Sequence, residues 1–189
     1  MKHLKTTVVA LVLTLVFSCG GGTSNQPATA DGFSAIEQDL KDKFGSDAYY
    51  TDLNISYDKS VGNMLSLTVT DAPESLKMGT YVFSQHTSWR QDSEVTLEVP
   101  EGTKAADFMF QLNDKINLKK LGELVELSSK NLTKEKDIDN PAFEMAFIKF
   151  PNNGDIQKAE YVVKLEPENG GTSFTYRYTL NGELIKMYY

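Results

Sequence analysis

The side chains that could support chemistry are few, and their scarcity narrows the functions open to this chain. Its 189 residues include one cysteine and two histidines, of which only His86 lies beyond the N-terminus. So few thiols and imidazoles exclude a zinc site built from cysteine or histidine ligands. The sequence also lacks the G-x-S-x-G, P-loop, H-E-x-x-H and calcium-loop patterns. We therefore predict no catalytic residue, no metal site and no cofactor.

Carboxylates are the only abundant reactive groups. The chain has 26 Asp and Glu residues, and two suitably placed carboxylates are sufficient for glycoside hydrolysis. No pair stands out in the sequence, and acidic residues mostly lie on solvated surfaces. A hydrolase that uses paired carboxylates on a glycan therefore stays the alternative to a non-catalytic domain.

One polar stretch combines residue types that are common in binding sites. Residues 85–92 (QHTSWRQD) contain His86, the only tryptophan, Trp89, and Arg90. Tryptophan and arginine are enriched at interface hot spots, and loops on a rigid sheet often carry binding residues. We predict a binding loop formed by these three residues. In the competing interpretation, Trp89 folds back into the core and His86 is simply an exposed loop residue.

The N-terminus has the layout of an export signal. Basic residues precede an uncharged apolar run, Thr6–Phe17, which is too short to span a bilayer. The run ends in VFSC, residues 16–19, which resembles the lipobox of bacterial lipoproteins. In that family, signal peptidase II cleaves before the cysteine, which carries a diacylglycerol and usually an amide-linked fatty acid such as palmitate. The resemblance implies a cleaved signal peptide at residues 1–18 and a lipidated Cys19.

The residues behind Cys19 favour an anchor in the outer membrane. In Gram-negative lipoproteins, an aspartate directly after the cysteine tends to retain the protein in the inner membrane, but Gly20 stands here. The resemblance thus implies a lipid-anchored protein of the cell membrane or outer membrane that faces the periplasm. Without residues 1–18, which contain two lysines and no acid, 17 basic and 26 acidic residues remain, a formal charge of −9.

That charge bears on the partners. Nucleic acid is excluded, because it requires a clustered basic surface. Attachment to anionic lipid by charge is also disfavoured, so the membrane contact would depend on the lipid of Cys19. An envelope protein or a glycan remains as the partner of the domain.

Residues 19–32 predict a flexible tether, and residues 33–189 predict one folded domain. The tether (CGGGTSNQPATADG) is small and polar, with nothing to bury. Ser34 and Glu37 have the spacing of a capping box, and Gly45 is placed to end the helix that follows. The apolar residues of this helix share one face: Ile36, Leu40 and Phe44.

Alternating apolar and polar residues predict strands between this helix and a second one. The predicted strands cover residues 52–57, 65–70, 80–84 and 94–99, whereas 103–112 is ambiguous between strand and helix. An apolar stripe predicts the second helix over Lys115–Lys130, with Asn113 or Asn117 as its N-cap. Residues 131–141 are polar and are predicted to be non-helical, and Gly122 indicates either a close neighbour or a weak point in the helix.

The C-terminal residues predict a meander of four antiparallel strands at 143–150, 156–166, 172–180 and 183–189. Asn181-Gly182 is typical of a two-residue type I′ turn, which fixes the register of the last hairpin. The predicted pairs on the core side are Phe174–Tyr189, Tyr176–Met187 and Tyr178–Ile185. Arg177 and Lys186 would then face each other on the solvated side, because opposed like charges are unfavourable when buried.

The order helix, strands, helix, strands predicts an α+β fold with two helices packed on antiparallel sheet. We also hypothesise a loose duplication of one helix-plus-meander unit, with halves at 33–112 and 113–189. The second half loosely resembles small periplasmic modules of the PepSY-like, cystatin-like or inhibitor-like kind, without a motif that selects one. The predicted function is that of a cell-envelope lipoprotein with a non-catalytic binding or structural domain.

Overall fold

The computed structural model describes residues 22–189, so the predicted signal peptide and Cys19 lie outside the described residues. Within that range, two α-helices and nine β-strands form the domain, and the predicted α+β class is confirmed. The helices are α1, Ala30–Phe44, and α2, Leu118–Lys136. The strands are β1 Tyr49–Asp58, β2 Gly62–Thr70, β3 Lys77–Ser84, β4 Ser88–Thr96, β5 Phe110–Gln111, β6 Ala142–Lys149, β7 Glu160–Glu166, β8 Phe174–Thr179 and β9 Leu184–Tyr188.

The strands join into one antiparallel sheet with the order β4-β3-β2-β1-β6-β7-β8-β9, and β5 pairs separately with β1. Each half runs in the same order, a helix followed by a four-strand meander: α1 with β1–β4, then α2 with β6–β9. The halves meet where β1 pairs with β6. The topology therefore has the repeated form that a duplication would produce, and common descent of the halves stays a hypothesis.

One row of paired residues crosses the whole sheet on the side of the helices. Its centre is the pair Ile55 and Ala146, where the halves meet, and both residues are fully buried. From β4 to β9 the row consists of Trp89, Phe83, Leu65, Ile55, Ala146, Val163, Tyr176 and Met187. Both helices contribute apolar side chains to the core that contains this row. They therefore cover one face of the sheet and leave the other face without a helix.

The folded chain begins earlier than predicted. A short 3₁₀ turn at Thr23–Asn25 packs on the sheet, with Thr23 buried. The side-chain amide of Asn63, itself fully buried, donates hydrogen bonds to the carbonyl oxygens of Thr23 at 3.0 Å and Gln26 at 2.7 Å. The prediction of a flexible tether up to residue 32 is therefore wrong from Thr23 onward, and the domain does not start at Phe33. Hydrogen bonds from the Asn63 side chain to backbone carbonyls hold this segment, so its lack of apolar residues is a misleading signal.

The first helix also starts earlier than predicted. Ala30 is its first residue, and the hydroxyl of Thr29 caps it by accepting a hydrogen bond of 3.2 Å from the N–H of Gly32. The predicted capping box at Ser34 is therefore wrong. The predicted helix end is confirmed at Gly45, whose φ of 99° suits glycine.

Each helix supplies a carboxylate to the N-terminus of the other. Glu37 of α1 accepts a hydrogen bond of 2.6 Å from the N–H of Leu118, the first residue of α2. Glu126 of α2 accepts one of 3.1 Å from the N–H of Ala30, the first residue of α1. The first N–H groups of a helix lack intrahelical partners and carry partial positive charge, so both contacts stabilise the helix pair.

The second helix is longer than predicted. Asn117, one of the two predicted caps, accepts a hydrogen bond of 2.8 Å from the N–H of Lys120. The helix continues to Lys136, because Leu132 is fully buried in the core despite its polar neighbours. At Gly122, a Cβ would overlap with the backbone at Thr29. Glycine therefore allows α2 to approach the start of α1 closely, as one of the two predicted explanations requires.

The register of the last hairpin is confirmed in its outer part and wrong near the turn. Two predicted pairs are present, Tyr176–Met187 and Arg177–Lys186. Tyr178, however, pairs with Leu184 and not with Ile185, because the register shifts between Arg177 and Tyr178. Ile185 is the extra residue of this bulge.

The turn before β9 also differs from the predicted one. The N–H of Thr179 donates to the carbonyl of Glu183 at 2.9 Å, which leaves three residues in the loop. Gly182 has a φ of 87°, whereas Asn181 is not among the described residues with positive φ. A type I′ turn requires positive φ at both central positions, so the predicted turn type is wrong. A type I turn followed by a left-handed glycine, a common three-residue hairpin loop, matches this geometry. It moves the pairing of Tyr178 from Ile185 to Leu184, and the bulge at Ile185 restores the predicted register from Arg177 onward.

The connection between the halves forms a second, small core of Met78, Ala105 and Met109. The predicted strand at 94–99 ends at Thr96, and the ambiguous segment forms a 3₁₀ turn at Ala105–Phe108 followed by β5. Neither helix of residues 22–189 has the length and apolar character that crossing a bilayer requires. Residues 22–189 contain both helices, all nine strands and both cores, so they form the folded domain for experiments.

Candidate binding surface

The structure separates the three residues of the predicted binding loop. His86 is exposed in the three-residue turn between β3 and β4. Trp89 and Arg90 lie in β4, so that part of the stretch is strand and not loop. Successive strand residues point to opposite faces. Trp89 therefore lies on the helix side, whereas Arg90 lies on the open face, where it forms a 3.2 Å ion pair with Asp92.

Trp89 belongs to a cluster of four half-buried aromatic residues: Phe44, Tyr81, Phe83 and Trp89, called the aromatic cluster below. The Phe44 ring packs edge-on against Tyr81, with centroids 4.9 Å apart, and against Trp89 at 5.3 Å. Phe83 lies 5.2 Å from Trp89. These are distances at which aromatic pairs attract one another. The interpretation of Trp89 as a residue that packs back on the core is thus correct in part, since its side chain is not fully buried.

The end of α1 positions the aromatic cluster. Phe44 is the last helical residue, and Gly45 turns the chain away immediately behind it. The helix therefore covers the inner strands and reaches β3 and β4 with its last two residues, Lys43 and Phe44. Lys43 places its Nζ 5.3 Å from the centroid of the Phe44 ring and 5.7 Å from that of Trp89. A cation at this distance is attracted by the aromatic ring faces.

A cavity of about 310 Å³ adjoins the aromatic cluster. Phe44 and Tyr81 contribute aromatic walls, and Gly79 leaves room in the strand for the Tyr81 ring, which a Cβ there would meet. The polar lining carries both signs of charge: Lys43, Asp71, Lys77, Gln91 and Glu94. Most of the lining surface is polar, so a ligand in this cavity would meet the rings of Phe44 and Tyr81 among mainly polar groups.

Several partly buried carboxylates support the fold. Glu37 and Glu126 cap the two helices. Glu144 forms a 2.7 Å ion pair with Lys164. Asp39 accepts a hydrogen bond of 2.5 Å from the hydroxyl of Thr23. In each case, a structural contact explains why the carboxylate is partly buried, and no catalytic role is needed to explain it.

The acidic residues of the cavity have a different setting from glycosidase catalysts. Asp71 and Glu94 are exposed, and Glu94 forms a 3.5 Å ion pair with Lys77. The catalytic acid of a glycosidase commonly lies in an apolar, desolvated pocket. Within the described residues, no group of three or more His, Cys, Asp or Glu side chains could hold a metal ion.

Charge and burial shift several side-chain pKa values in the second half. The guanidinium of Arg177 donates two hydrogen bonds to Glu160, at 2.6 and 2.5 Å, and these bonds lower the pKa of that carboxyl. Burial raises the pKa of Tyr161 and of Tyr176 to about 12. Burial also raises the pKa of Tyr178, although its hydroxyl shares a 2.7 Å hydrogen bond with Ser128. All three tyrosines are core residues and not site residues.

No protein-family model matches the chain, and no curated protein or solved structure matches it either. The candidate surface therefore depends on geometry alone. Sequence reasoning found Trp89 but missed its partners Lys43, Phe44 and Tyr81. Phe44 was assigned to the apolar face of α1, and Tyr81 lay in a weakly predicted strand. No sequence spacing indicated that the end of α1 reaches these two strands.

Proposed function

We propose that this protein is a lipid-anchored protein of the cell envelope whose domain binds a ligand without catalysis at the aromatic cluster. The observation that carries the proposal is the half-buried state of four clustered aromatic side chains beside a cavity. Aromatic side chains bury large areas at low entropic cost and serve as binding anchors. A ligand that covers Tyr81 and Trp89 would remove apolar surface from water that the fold itself leaves partly exposed.

The cavity volume limits what can enter. About 310 Å³ lies at the lower end of the range for small-molecule sites, so one sugar ring or one amino-acid side chain fits better than a large ligand. The expected partner is an envelope glycan or an envelope protein that inserts such a group. The mixed charges of the rim favour a neutral or zwitterionic group over a strongly charged one.

The anchor is proposed from the lipobox-like residues that end at Cys19. If it is correct, Cys19→Ala will leave an unprocessed precursor that incorporates no labelled palmitate in growing bacteria. The wild-type protein should be labelled and found in the outer-membrane fraction. A labelled Cys19→Ala protein that stays in the membrane would refute the anchor but not the binding site.

The binding site can be tested through the single tryptophan. The domain of residues 22–189 is immobilised, envelope proteins and peptidoglycan fragments are captured on it, and the retained component is then titrated against Trp89 fluorescence. Tyr81→Ala should reduce affinity at least tenfold. Tyr57→Ala is the matched control, because this tyrosine is 44% exposed and is not part of the cluster.

The outcomes are distinct. Equal capture by the Tyr81→Ala and wild-type domains would show that the aromatic cluster is not the site. Release of smaller sugars from a captured glycan would show that the domain is a hydrolase, and the non-catalytic proposal would then be wrong.

A further inference from the structure

The two edges of the sheet differ in chemistry. Within the described residues, the sheet ends at β4 on one side and at β9 on the other. Residues 90–94 of β4 (RQDSE) are all exposed and polar, and a bulge interrupts the pairing of β4 with β3. Charged side chains and bulges are the usual protection of an edge strand against pairing with another chain. The edge of the first half is thus protected.

The edge of the second half is less protected, because its bulge at Ile185 lies near the turn and leaves residues 186–188 regularly paired. From β9 to the end of the chain, Lys186 is the only charged residue. Four of the seven exposed large apolar side chains of the described residues lie in this short stretch: Leu184 at 52%, Ile185 at 47%, Tyr188 at 40% and Tyr189 at 77%. An apolar strand edge of this kind is a template for a further strand.

The side chains of β9 are held in place by the domain itself. Arg177 donates a hydrogen bond of 3.0 Å to the hydroxyl of Tyr188. Lys186 places its Nζ 4.6 Å from the Tyr188 ring centroid on the open face, and Lys136 places its Nζ 4.5 Å from the Tyr189 ring centroid. The edge is therefore preorganised for pairing, which lowers the entropic cost of association.

We propose that β9 pairs antiparallel with β9 of a second copy of this chain, around a two-fold axis at Met187. An antiparallel pair of identical strands is self-complementary, so each apolar side chain contributes twice. In this register, Lys186 lies opposite Tyr188 of the second copy on the open face. Ile185 lies opposite Tyr189 of the second copy.

The charges favour a second copy of the chain as the partner of β9 and Met187 as the position of the two-fold axis. The chain as a whole has a formal charge of −7, but residues 184–189 contain one basic and no acidic side chain. Two acidic molecules therefore meet at an edge where no acidic side chains repel each other. With the axis at Met187, Lys186 lies opposite the Tyr188 ring of the second copy. With the axis at Lys186, the lysines of the two copies would lie opposite each other.

The contact is small, so the dimer should be weak. A strand edge of five residues buries less than the roughly 1,200 Å² typical of stable interfaces, and we expect dissociation constants on the order of 10–100 µM. Sedimentation equilibrium of residues 22–189 should therefore show a reversible change from monomer to dimer across that range. A monomer at all concentrations up to about 1 mM would overturn the proposal.

A matched pair of variants locates the contact. Ile185→Lys places a charge on the β9 edge at an exposed site and should weaken dimerisation at least tenfold. Val95→Lys does the same on β4, where Val95 is 40% exposed, and should leave the dimer unchanged. Circular dichroism confirms that both variants are folded. A dimer that Val95→Lys disrupts, or that Ile185→Lys leaves intact, would refute pairing through β9.

Cysteine cross-linking tests the register independently of those variants. The only natural cysteine is Cys19, so residues 22–189 contain none. A mixture of Lys186→Cys and Tyr188→Cys domains should form a disulfide-linked dimer under mild oxidation, whereas each variant alone should form far less. Equal cross-linking of Lys186→Cys with itself would overturn the register with its axis at Met187.

Discussion

The two halves of the domain share their order of elements but differ in how far a helix covers the outer strands. In the second half, the 19-residue α2 lies over the sheet, and Tyr176 and Tyr178 are each only 1% exposed. In the first half, the 15-residue α1 ends at Phe44, and Phe83, which occupies the position in the cross-sheet row that corresponds to Tyr176, stays half-buried. Helix length thus decides whether the aromatic residues of an outer strand form a core or a partly open surface.

The difference indicates a division of roles. The aromatic residues of β8 contribute to the core of the second half, whereas those of β3 and β4 form the candidate binding surface of the first half. A helix that covers less of the sheet leaves apolar surface that a ligand can use, at some cost to stability. Four measurements can sharpen or break this comparison.

The largest difference is expected between Tyr176→Ala and Phe83→Ala. Removal of a fully buried aromatic side chain costs about 3–5 kcal/mol, a large part of the 5–15 kcal/mol that stabilises a typical domain. Phe83 is already half-solvated, so its loss should cost about 1–2 kcal/mol. Urea unfolding of both variants of residues 22–189 gives the two free energies. Equal losses would show that helix coverage does not separate the halves.

A smaller difference is expected when only hydroxyl groups are removed. Tyr178→Phe breaks the buried 2.7 Å hydrogen bond to Ser128 and should cost about 1–2 kcal/mol, because the Ser128 hydroxyl is left buried without a partner. Tyr81→Phe removes an exposed contact of 3.4 Å to Gln91 and should change stability by less than about 0.5 kcal/mol. If Tyr81→Phe proves the more costly, the first half is more tightly packed than its burial indicates.

The reciprocal caps should differ less. Glu37 bonds the start of α2 at 2.6 Å and also forms a 2.6 Å ion pair with Lys41, whereas Glu126 bonds the start of α1 at 3.1 Å. We expect Glu37→Gln to cost about 1 kcal/mol and Glu126→Gln about half as much. Thermal unfolding of the two variants measures this order, with exposed Ser34→Ala as the control. The reverse order would mean that the N-terminus of α1 depends more on its cap.

The smallest effect at neutral pH is expected for the buried phenol of Tyr176. Burial raises the pKa of Tyr161 and Tyr176 to about 12, above the value of about 10 expected in the unfolded chain. Their contribution to stability is therefore complete below pH 10 and is lost as the pH rises through 12. Tyr176→Phe, which removes a buried hydroxyl without a hydrogen-bond partner, should flatten this alkaline limb of stability in urea unfolding at pH 9 to 12. An unchanged slope would assign the alkaline loss to other groups.

Sequence reasoning succeeded where local periodicity and burial agree. The apolar spacing of α1 and the alternation of β2 and β8 gave the correct faces, because each of these elements has one buried side. It failed where side-chain contacts to the backbone decide the structure. The amide of Asn63 fixes Thr23–Gln26, and one glycine conformation changes the turn before β9.

The candidate surface was harder to predict than the fold. Trp89 was noticed for its rarity, yet the residues that make it a site come from the end of α1 and from β3. Their meeting depends on where α1 ends relative to a sheet of eight strands in line, which is a property of the complete fold. A single sequence carries no direct record of such a distance.

The fixed segment at Thr23 sets the reach of the molecule if Cys19 is the anchor. Four residues of chain at about 3.6 Å each span at most about 14 Å, so the lipid would hold the domain against the bilayer. Asn63, which fixes Thr23, lies at the start of β2, whereas the cavity is lined by Val69 and Thr70 at its end. The seven residue steps from Asn63 to Thr70 in β2 extend about 23 Å at about 3.3 Å per residue. The short connection between Cys19 and Thr23 would therefore orient the domain as well as attach it. The cavity would then point away from the membrane, toward ligands of the periplasm.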